Sequence, residues 1–120
     1  MSFRRILDEL LSTTTGSIAA LFLDYEGETV ELLSAHDLDN HDLKIIGAYQ
    51  GIFLDQLRAL CAQVAAGSPQ RFKLEFEKTM VLSCDLKDGY YIVLLVDADA
   101  NEGIAWHRLA QCREKLIVEI

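Results

Sequence analysis

The residues best suited to chemistry stand together between positions 36 and 42. The stretch from His36 to Asp42 contains two imidazoles and three carboxylates within seven residues. A metal would need these groups to converge on one point, but His36 and His41 are five positions apart and lack the spacing that aligns two histidines on a helix. Asp39 and Asn40 are also suited to cap the helix that is predicted to follow. We expect a helix cap here, and the alternative is a hydrolase or metal enzyme that uses this loop.

Elsewhere the sequence places no activating neighbour beside a reactive side chain. Hydroxyls occur at residues 12–15, but no histidine is positioned to activate them, so a cap or a turn is predicted. Trp106 begins the last helix beside an acidic loop, where it either packs on the sheet or anchors a partner. The cysteines stand far apart in apolar runs and are expected to be reduced core residues of a cytosolic protein: Cys61, Cys84 and Cys112. We therefore predict no catalytic residue, no cofactor and no metal.

Composition limits the classes of partner. The 120 residues suffice for one domain, residues 1–120, with a sizeable core. A hydrophobic share of 51% suits a domain with an additional apolar interface. The formal net charge of -8 argues against nucleic acid or an anionic membrane as the main partner. Asp8 and Glu9 interrupt any signal-peptide core, and no apolar run has the length of a membrane span, so we expect a cytoplasmic protein without membrane insertion.

The element expected to organise the fold is a long helix from Asp42 to Ala66. Gly67 and Pro69 end it, with glycine just past the last turn and proline beyond. Its apolar residues form more than one stripe, which exceeds what one small sheet requires, so its outer surface is expected to meet a second molecule. The stripe predicted to face the core consists of Ile46, Tyr49, Phe53, Leu57, Leu60 and Val64.

Five strands and two terminal helices accompany this helix in the predicted order α-β-β-α-β-β-β-α, which is an α+β domain. Ser17–Asp24 and Tyr90–Val96 are apolar at consecutive positions, which is typical of central strands covered on both faces. Thr79–Leu86 then lies beside them, and Thr29–Ser34 and Gln70–Lys78 are the edges of a five-stranded antiparallel sheet. We expect the long helix on one face and the two terminal helices on the other.

The second edge strand alternates apolar and charged residues, which makes it a candidate for self-association. We consider an antiparallel pairing of two copies about Leu74. Arg71 would then face Glu77 of the other copy. Lys73 would likewise face Glu75, so opposed charges would be complementary. An ordinary solvated face is the alternative.

Gly47 and Gly51 share one face of the long helix, where they permit either close packing on the sheet or a helix crossing at a dimer seam. The predicted dimer interface consists of Gly47, Gly51, Leu54, Arg58, Arg71, Phe72, Lys73, Leu74, Glu75, Phe76 and Glu77. The predicted partner-binding surface consists of Gln50, Asp55 and Arg58.

The order and spacing of these elements resemble the roadblock family of dynein-light-chain-like proteins over nearly the whole chain. The likeness is carried by the strand Gly16–Asp24 with its Tyr-Glu-Gly-Glu turn and by the segment Tyr91–Gly103, which leads into the last helix. This short chain more closely resembles the prokaryotic branch of the family, which includes partners of a polarity-controlling GTPase. The resemblance implies a noncatalytic homodimer, joined edge to edge with paired long helices, that acts as a scaffold or regulator of a small Ras-like GTPase. A small-molecule-binding sensor domain is the alternative, and a closed apolar pocket would distinguish it.

Overall fold

A five-stranded antiparallel sheet lies between two layers of helix in the computed structural model, which describes residues 2–35 and 37–120. Along the chain the elements are α1 (Phe3–Thr13), β1 (Ser17–Leu23), β2 (Thr29–Ser34), α2 (Asn40–Val64), β3 (Arg71–Glu75), β4 (Thr79–Asp85), β5 (Tyr91–Asp97) and α3 (Glu102–Glu119). The α+β class and the predicted order of helices and strands are confirmed. No helix in the two described ranges is long and apolar enough to cross a membrane.

The sheet has the strand order β2-β1-β5-β4-β3, and every neighbouring pair is antiparallel. The central strands β1 and β5 pair directly, with Ala20 opposite Leu94 and Phe22 opposite Ile92. Nearly all of their residues are buried because helices cover both faces, which accounts for their unbroken apolar sequences. The predictions that these strands are neighbours and that β2 and β3 are edges are confirmed.

Helices α1 and α3 cover one face of the sheet. Ile6 of α1 and Leu109 of α3 are buried with Phe22 of β1 in one apolar cluster. Each helix begins at a capped residue, since the side chains of Ser2 and Asn101 accept hydrogen bonds from backbone N–H groups of the first turn. The terminal helices therefore lie opposite the long helix, as predicted.

Helix α2 covers the other face, closest to β1, β2 and β5. The side chain of Asp39 accepts the backbone N–H of His41 at 2.8 Å, so of the two predicted cap residues, Asp39 is the cap and Asn40 is the first residue of the helix. The helix ends at Val64, and Ala65 adopts a left-handed conformation with φ of 54°. Both ends therefore lie two residues before the predicted bounds.

The face of α2 that packs on the sheet is not the predicted one. Residues of the predicted core stripe are half-buried or exposed, and the ring of Tyr49 is 55% exposed. A Cβ built on Gly47 would lie 2.9 Å from Cδ2 of Leu23, so the absence of a side chain lets the helix approach the sheet on this side. The buried residues of α2 are Leu43, Gly47, Gln50 and Leu54.

The second edge strand is shorter than the predicted Gln70–Lys78. Strand β3 ends at Glu75, and the chain then turns into β4. The N–H of Phe76 donates to the carbonyl of Thr79 at 2.8 Å and closes this turn. The sequence pattern did not reveal the turn because Phe76 and Glu77 continue the alternation of apolar and charged residues.

Candidate functional site

The free edge of β3 offers backbone groups for pairing. The N–H of Phe76 donates to the carbonyl of Thr79, and in the register of the two strands this places the hydrogen bonds to β4 at the even-numbered residues of β3. Successive residues of a strand point their N–H and C=O groups to opposite sides. An additional strand can therefore bind the outward groups, which belong to Arg71, Lys73 and Glu75.

An apolar groove of about 720 Å³ lies beside this edge, between α2 and the β3–β4 hairpin. It opens to the surface, since the rings of Tyr49 and Phe76 are both more than half exposed. A large exposed apolar surface beside a free strand is typical of a protein interface. The main apolar residues of the groove are Ile45, Ile46, Tyr49, Phe53, Leu74 and Phe76.

The apolar surface continues from the groove along the outside of α2. The rings of Tyr49 and Phe53 lie 6.4 Å apart between centres. Phe53 lies edge-on to Phe72 of β3 at 6.3 Å, so helix and edge strand form one surface. The exposed large apolar residues of α2 are Ile45, Tyr49, Ile52, Leu60 and Val64.

Three residues of the predicted dimer interface face their own sheet instead. Leu54 is fully buried. A Cβ on Gly51 would lie 2.6 Å from Oη of Tyr91, and one on Gly47 would lie 2.9 Å from Cδ2 of Leu23 in β1. Both glycines therefore pack closely on the sheet, which is one of the two arrangements that the sequence permitted, and the side chain of Leu54 points to the sheet as well.

Gln50, which we predicted to contact a partner, is buried beside the apolar groove with 3% of its surface exposed. Its Nε2 donates to the carbonyl of Ile46 at 3.2 Å, and its Oε1 accepts from Oγ of Ser83 at 3.3 Å. These bonds satisfy the amide and let it lie between helix and sheet. The spacing in the sequence could have indicated this burial, because Gln50 is three residues after Gly47 and four before Leu54 and therefore lies on the same helical face.

Arg58 binds two carboxylates and joins α2 to the end of β4. Its Nη1 lies 2.7 Å from Oδ1 of Asp55, and its Nη2 lies 2.7 Å from Oδ1 of Asp85. The bond to Asp85 spans 27 positions of the chain, so no local sequence pattern indicated it. The side chain of Asp55 is 71% exposed and stays available at the surface.

Two of the charged residues of β3, Lys73 and Glu75, are paired within the chain. The Nζ of Lys73 lies 2.6 Å from Glu102 of α3 and 2.7 Å from Glu75. Hydrogen bonds to Glu102 and Glu75 raise the pKa of Lys73. The predicted pairing about Leu74 also requires Glu77 to be part of the strand, whereas Glu77 lies in the turn. A pairing of two copies through β3 therefore needs a register confined to residues 71–75.

Metal-binding and nucleophilic groups are not assembled into a site in the part of the chain described. His36 lies outside it, and within it no group of three His, Cys, Asp or Glu side chains could hold a metal ion. Burial raises the pKa of Cys84 and raises that of Cys112 to about 12, so both thiols are neutral near pH 7. The large apolar cavity is an open groove, and two buried apolar clusters fill the space between sheet and helices.

Comparison with known proteins identifies the fold. No protein-family model and no curated protein matches the sequence. A solved Roadblock/LC7 domain from Streptomyces avermitilis matches with a TM-score of 0.83 and 14% identity, over 93% of this chain and 92% of the other. An MglB with a tetrameric arrangement matches with a TM-score of 0.84 and 19% identity, over 94% of this chain and 83% of the other. MglC from Myxococcus xanthus matches with a TM-score of 0.70 and 23% identity, over 100% of both chains. The fold is that of Roadblock/LC7 domain proteins.

Proposed function

We propose that this protein is a noncatalytic homodimeric scaffold or regulator that binds a small Ras-like GTPase or a related partner. The observation that carries the proposal is the continuity between the outward edge of β3 and the apolar outer face of α2. The roadblock resemblance implies this assembly and this class of partner. The likeness to MglB and MglC favours the GTPase-regulating branch.

The two copies pair through β3, antiparallel about Lys73. This register uses the whole of β3 and none of the turn. Phe72 lies opposite Leu74 of the second copy, which forms an apolar pair on the α2 face. Arg71 lies opposite Glu75, so like charges do not meet at the ends. The two Lys73 side chains meet at the twofold axis, where each is already bound to carboxylates of its own chain.

The same pairing covers the apolar groove of each copy. Ile45, Tyr49 and Phe76 are the exposed side chains that we assign to this interface, in place of the sheet-facing residues Gly47 and Leu54. A large apolar side chain that passes from half exposed to buried contributes about 1 kcal/mol. The rest of the outer face of α2 is left for the GTPase partner, with Ile52, Asp55 and Leu60 as its exposed residues.

Light scattering at micromolar concentration tests the assembly. A dimer has twice the chain mass of 13.5 kDa, and a monomer would contradict the proposal.

Affinity capture from native cytosol, followed by GTP hydrolysis measurements, tests the partner. We expect a small GTPase to be recovered by the native protein and by Val118→Glu, which changes an exposed residue of α3, but not by Ile52→Glu. Recovery of no GTPase would count against this partner class.

A small-molecule sensor is the second candidate, because a groove of about 720 Å³ is large enough for a ligand. The two candidates differ in assembly, since a second copy would cover the groove that a ligand needs. A monomer that binds a metabolite in this groove would favour the sensor.

A further inference from the structure

A second groove lies on the other face of the sheet, between the edge strand β3 and helix α3. Its volume is about 300 Å³. Two cationic side chains line it, and we refer to it as the arginine groove. Its main residues are Gln70, Arg71, Cys84, Trp106, Leu109 and Arg113.

Both guanidinium groups of the arginine groove are oriented by contacts that leave donors free. The guanidinium of Arg71 lies 4.4 Å from the ring centre of Trp106. The indole is itself held, because its Nε1–H donates to Oε2 of Glu102 at 3.2 Å. Arg113 uses one nitrogen, Nε, to donate to the carbonyl of Asp85 at 2.9 Å. Because a guanidinium carries several N–H donors in one plane, each arginine keeps donors for a ligand.

The chain's own carboxylates do not neutralise these two arginines. Neither Arg71 nor Arg113 forms an ion pair within residues 2–35 and 37–120, although the sequence has 19 acidic residues. Among the other cations without an ion pair, Lys87 stands on an exposed turn, Arg5 and Lys44 stand on exposed helix positions, and Arg108 is half-buried on α3. Arg71 and Arg113 differ because they converge on one groove. Ion pairs with carboxylates are formed by Arg4, Arg58, Lys73 and Lys115.

Cys84 lies opposite Arg71 in the register of β3 and β4 and lines the arginine groove without adding negative charge. Burial raises the pKa of Cys84, and this effect exceeds the lowering by Arg113 and Arg71. The thiol is therefore neutral near pH 7. The arginine groove is thus a positive site on a chain whose formal net charge is -8.

We propose that the arginine groove binds an acidic peptide segment of a protein partner. Planar guanidinium groups bind carboxylates through paired hydrogen bonds, so carboxylates of the segment bind Arg71 and Arg113. An apolar side chain of the segment packs on the accessible surface of Trp106 and Ala110, which also line the arginine groove. A nucleic acid or an anionic membrane is disfavoured because its extended charge would be repelled by the acidic remainder of the chain. The site goes beyond the proposed dimer and its GTPase partner. In that dimer Glu75 of the second copy lies opposite Arg71, so Arg113 on α3 is the arginine that stays unpaired in both the monomer and the dimer.

The test uses the fluorescence of Trp106, the single tryptophan of the chain. The full chain is titrated at low salt with a blocked Glu-Leu-Glu-Leu-Glu peptide and, as a control, with the matching Gln-Leu-Gln-Leu-Gln peptide. We expect the acidic peptide to change the emission and to bind at least about tenfold more tightly than the control, because charge-assisted hydrogen bonds are lost with glutamine. Equal affinities for the two peptides would overturn the proposal.

Arg113→Gln is the diagnostic variant because Arg113 lies on α3 and not on the β3 edge. We expect it to weaken binding of the acidic peptide at least about tenfold. Arg113→Lys keeps the charge but loses the planar fork, so its affinity should be intermediate. Lys87→Gln removes the same charge from an exposed turn and should change the affinity less than about twofold.

If Arg113→Gln and Lys87→Gln weakened binding of the acidic peptide equally, the binding would depend only on long-range electrostatic attraction. That result would overturn the proposal. Inorganic phosphate that changes the emission of Trp106 when the peptide does not would also overturn it, since the site would then be one for small anions. Light scattering on the same samples separates this inference from the dimer. A monomer that binds the peptide contradicts the dimer alone, and a dimer that does not bind it contradicts the peptide site alone.

Discussion

The hydroxyl of Tyr91 donates a hydrogen bond to the carbonyl oxygen of Gly47 at 2.8 Å, which joins the central strand β5 to helix α2. The ring of Tyr91 occupies the space that a side chain at Gly51 would take. One tyrosine and two glycines therefore set the distance between sheet and helix. That distance also decides which side of α2 stays exposed and can serve as an interaction surface.

Gly51→Ala is expected to lower the free energy of unfolding. The new Cβ would lie 2.6 Å from Oη of Tyr91, and the resulting shift costs about 1–3 kcal/mol. The preference of a helix for alanine over glycine offsets about 1 kcal/mol of this loss. Urea unfolding at one protein concentration measures the difference.

The matched control is Gly103→Ala in the first turn of α3, where the nearest atom to the new Cβ is 3.5 Å away. It should be neutral or slightly stabilising. Equal stability of Gly51→Ala and Gly103→Ala would contradict the close approach of α2 to Tyr91.

Stability is expected to fall between about pH 10 and pH 12, because burial raises the pKa of Tyr91 from 10.0 to about 12. In this range the folded state keeps the phenolic proton and the unfolded state loses it. Since the unfolded state then binds fewer protons, the free energy of unfolding decreases as the pH rises. Below this range both states hold the proton, and the contribution of Tyr91 is constant. Chemical unfolding at a series of pH values measures the slope.

Tyr91→Phe should reduce this alkaline slope. It should also lower stability by about 1 kcal/mol at neutral pH, because the hydrogen bond to Gly47 is lost. Burial raises the pKa of Cys112 from 9.0 to about 12, so part of the alkaline loss should remain in the variant. An unchanged slope in Tyr91→Phe would show that another group is responsible.

Tyr49→Glu is expected to convert the proposed dimer to a folded monomer. Because the ring of Tyr49 is 55% exposed, a carboxylate is tolerated there in one copy but would be buried without a partner in the dimer. Tyr25→Glu is the control, since Tyr25 is 66% exposed in the turn between β1 and β2. Light scattering should give 13.5 kDa for Tyr49→Glu and twice that mass for Tyr25→Glu. The same mass for both variants would exclude this surface from the interface.

Proline substitutions in β3 test which backbone groups point outward. Lys73→Pro removes an N–H that points away from the sheet, whereas Phe72→Pro removes one that bonds to β4. We expect Lys73→Pro to be folded and monomeric and Phe72→Pro to be strongly destabilised. Circular dichroism and light scattering measure both properties. A dimeric Lys73→Pro protein would show that self-association does not use the β3 edge.

Local patterns sufficed to predict much of the architecture. The unbroken apolar runs of β1 and β5 indicated central strands, and Asp39 was recognised as a helix cap. Each inference depends on residues within one element or one turn. The buried face of α2 was predicted less well, because several sides of the helix are apolar and the pattern did not indicate which side meets the sheet. Gln50 illustrates this, since its amide is satisfied by Ser83, which lies 33 positions away.

By itself, the sequence determines the order of the elements, the α+β class and the central pair of strands, because hydrophobic periodicity and capping act over a few residues. The tertiary structure decided which face of α2 is buried. The hydrophobic effect is non-directional and does not distinguish between the apolar sides of α2. The side with Gly47 and Gly51 is buried because the missing side chains let the helix approach the sheet closely there. The tertiary structure also decided which charged residues form ion pairs within the chain, because Lys73 and Glu102 are 29 positions apart and meet only when α3 packs beside β3.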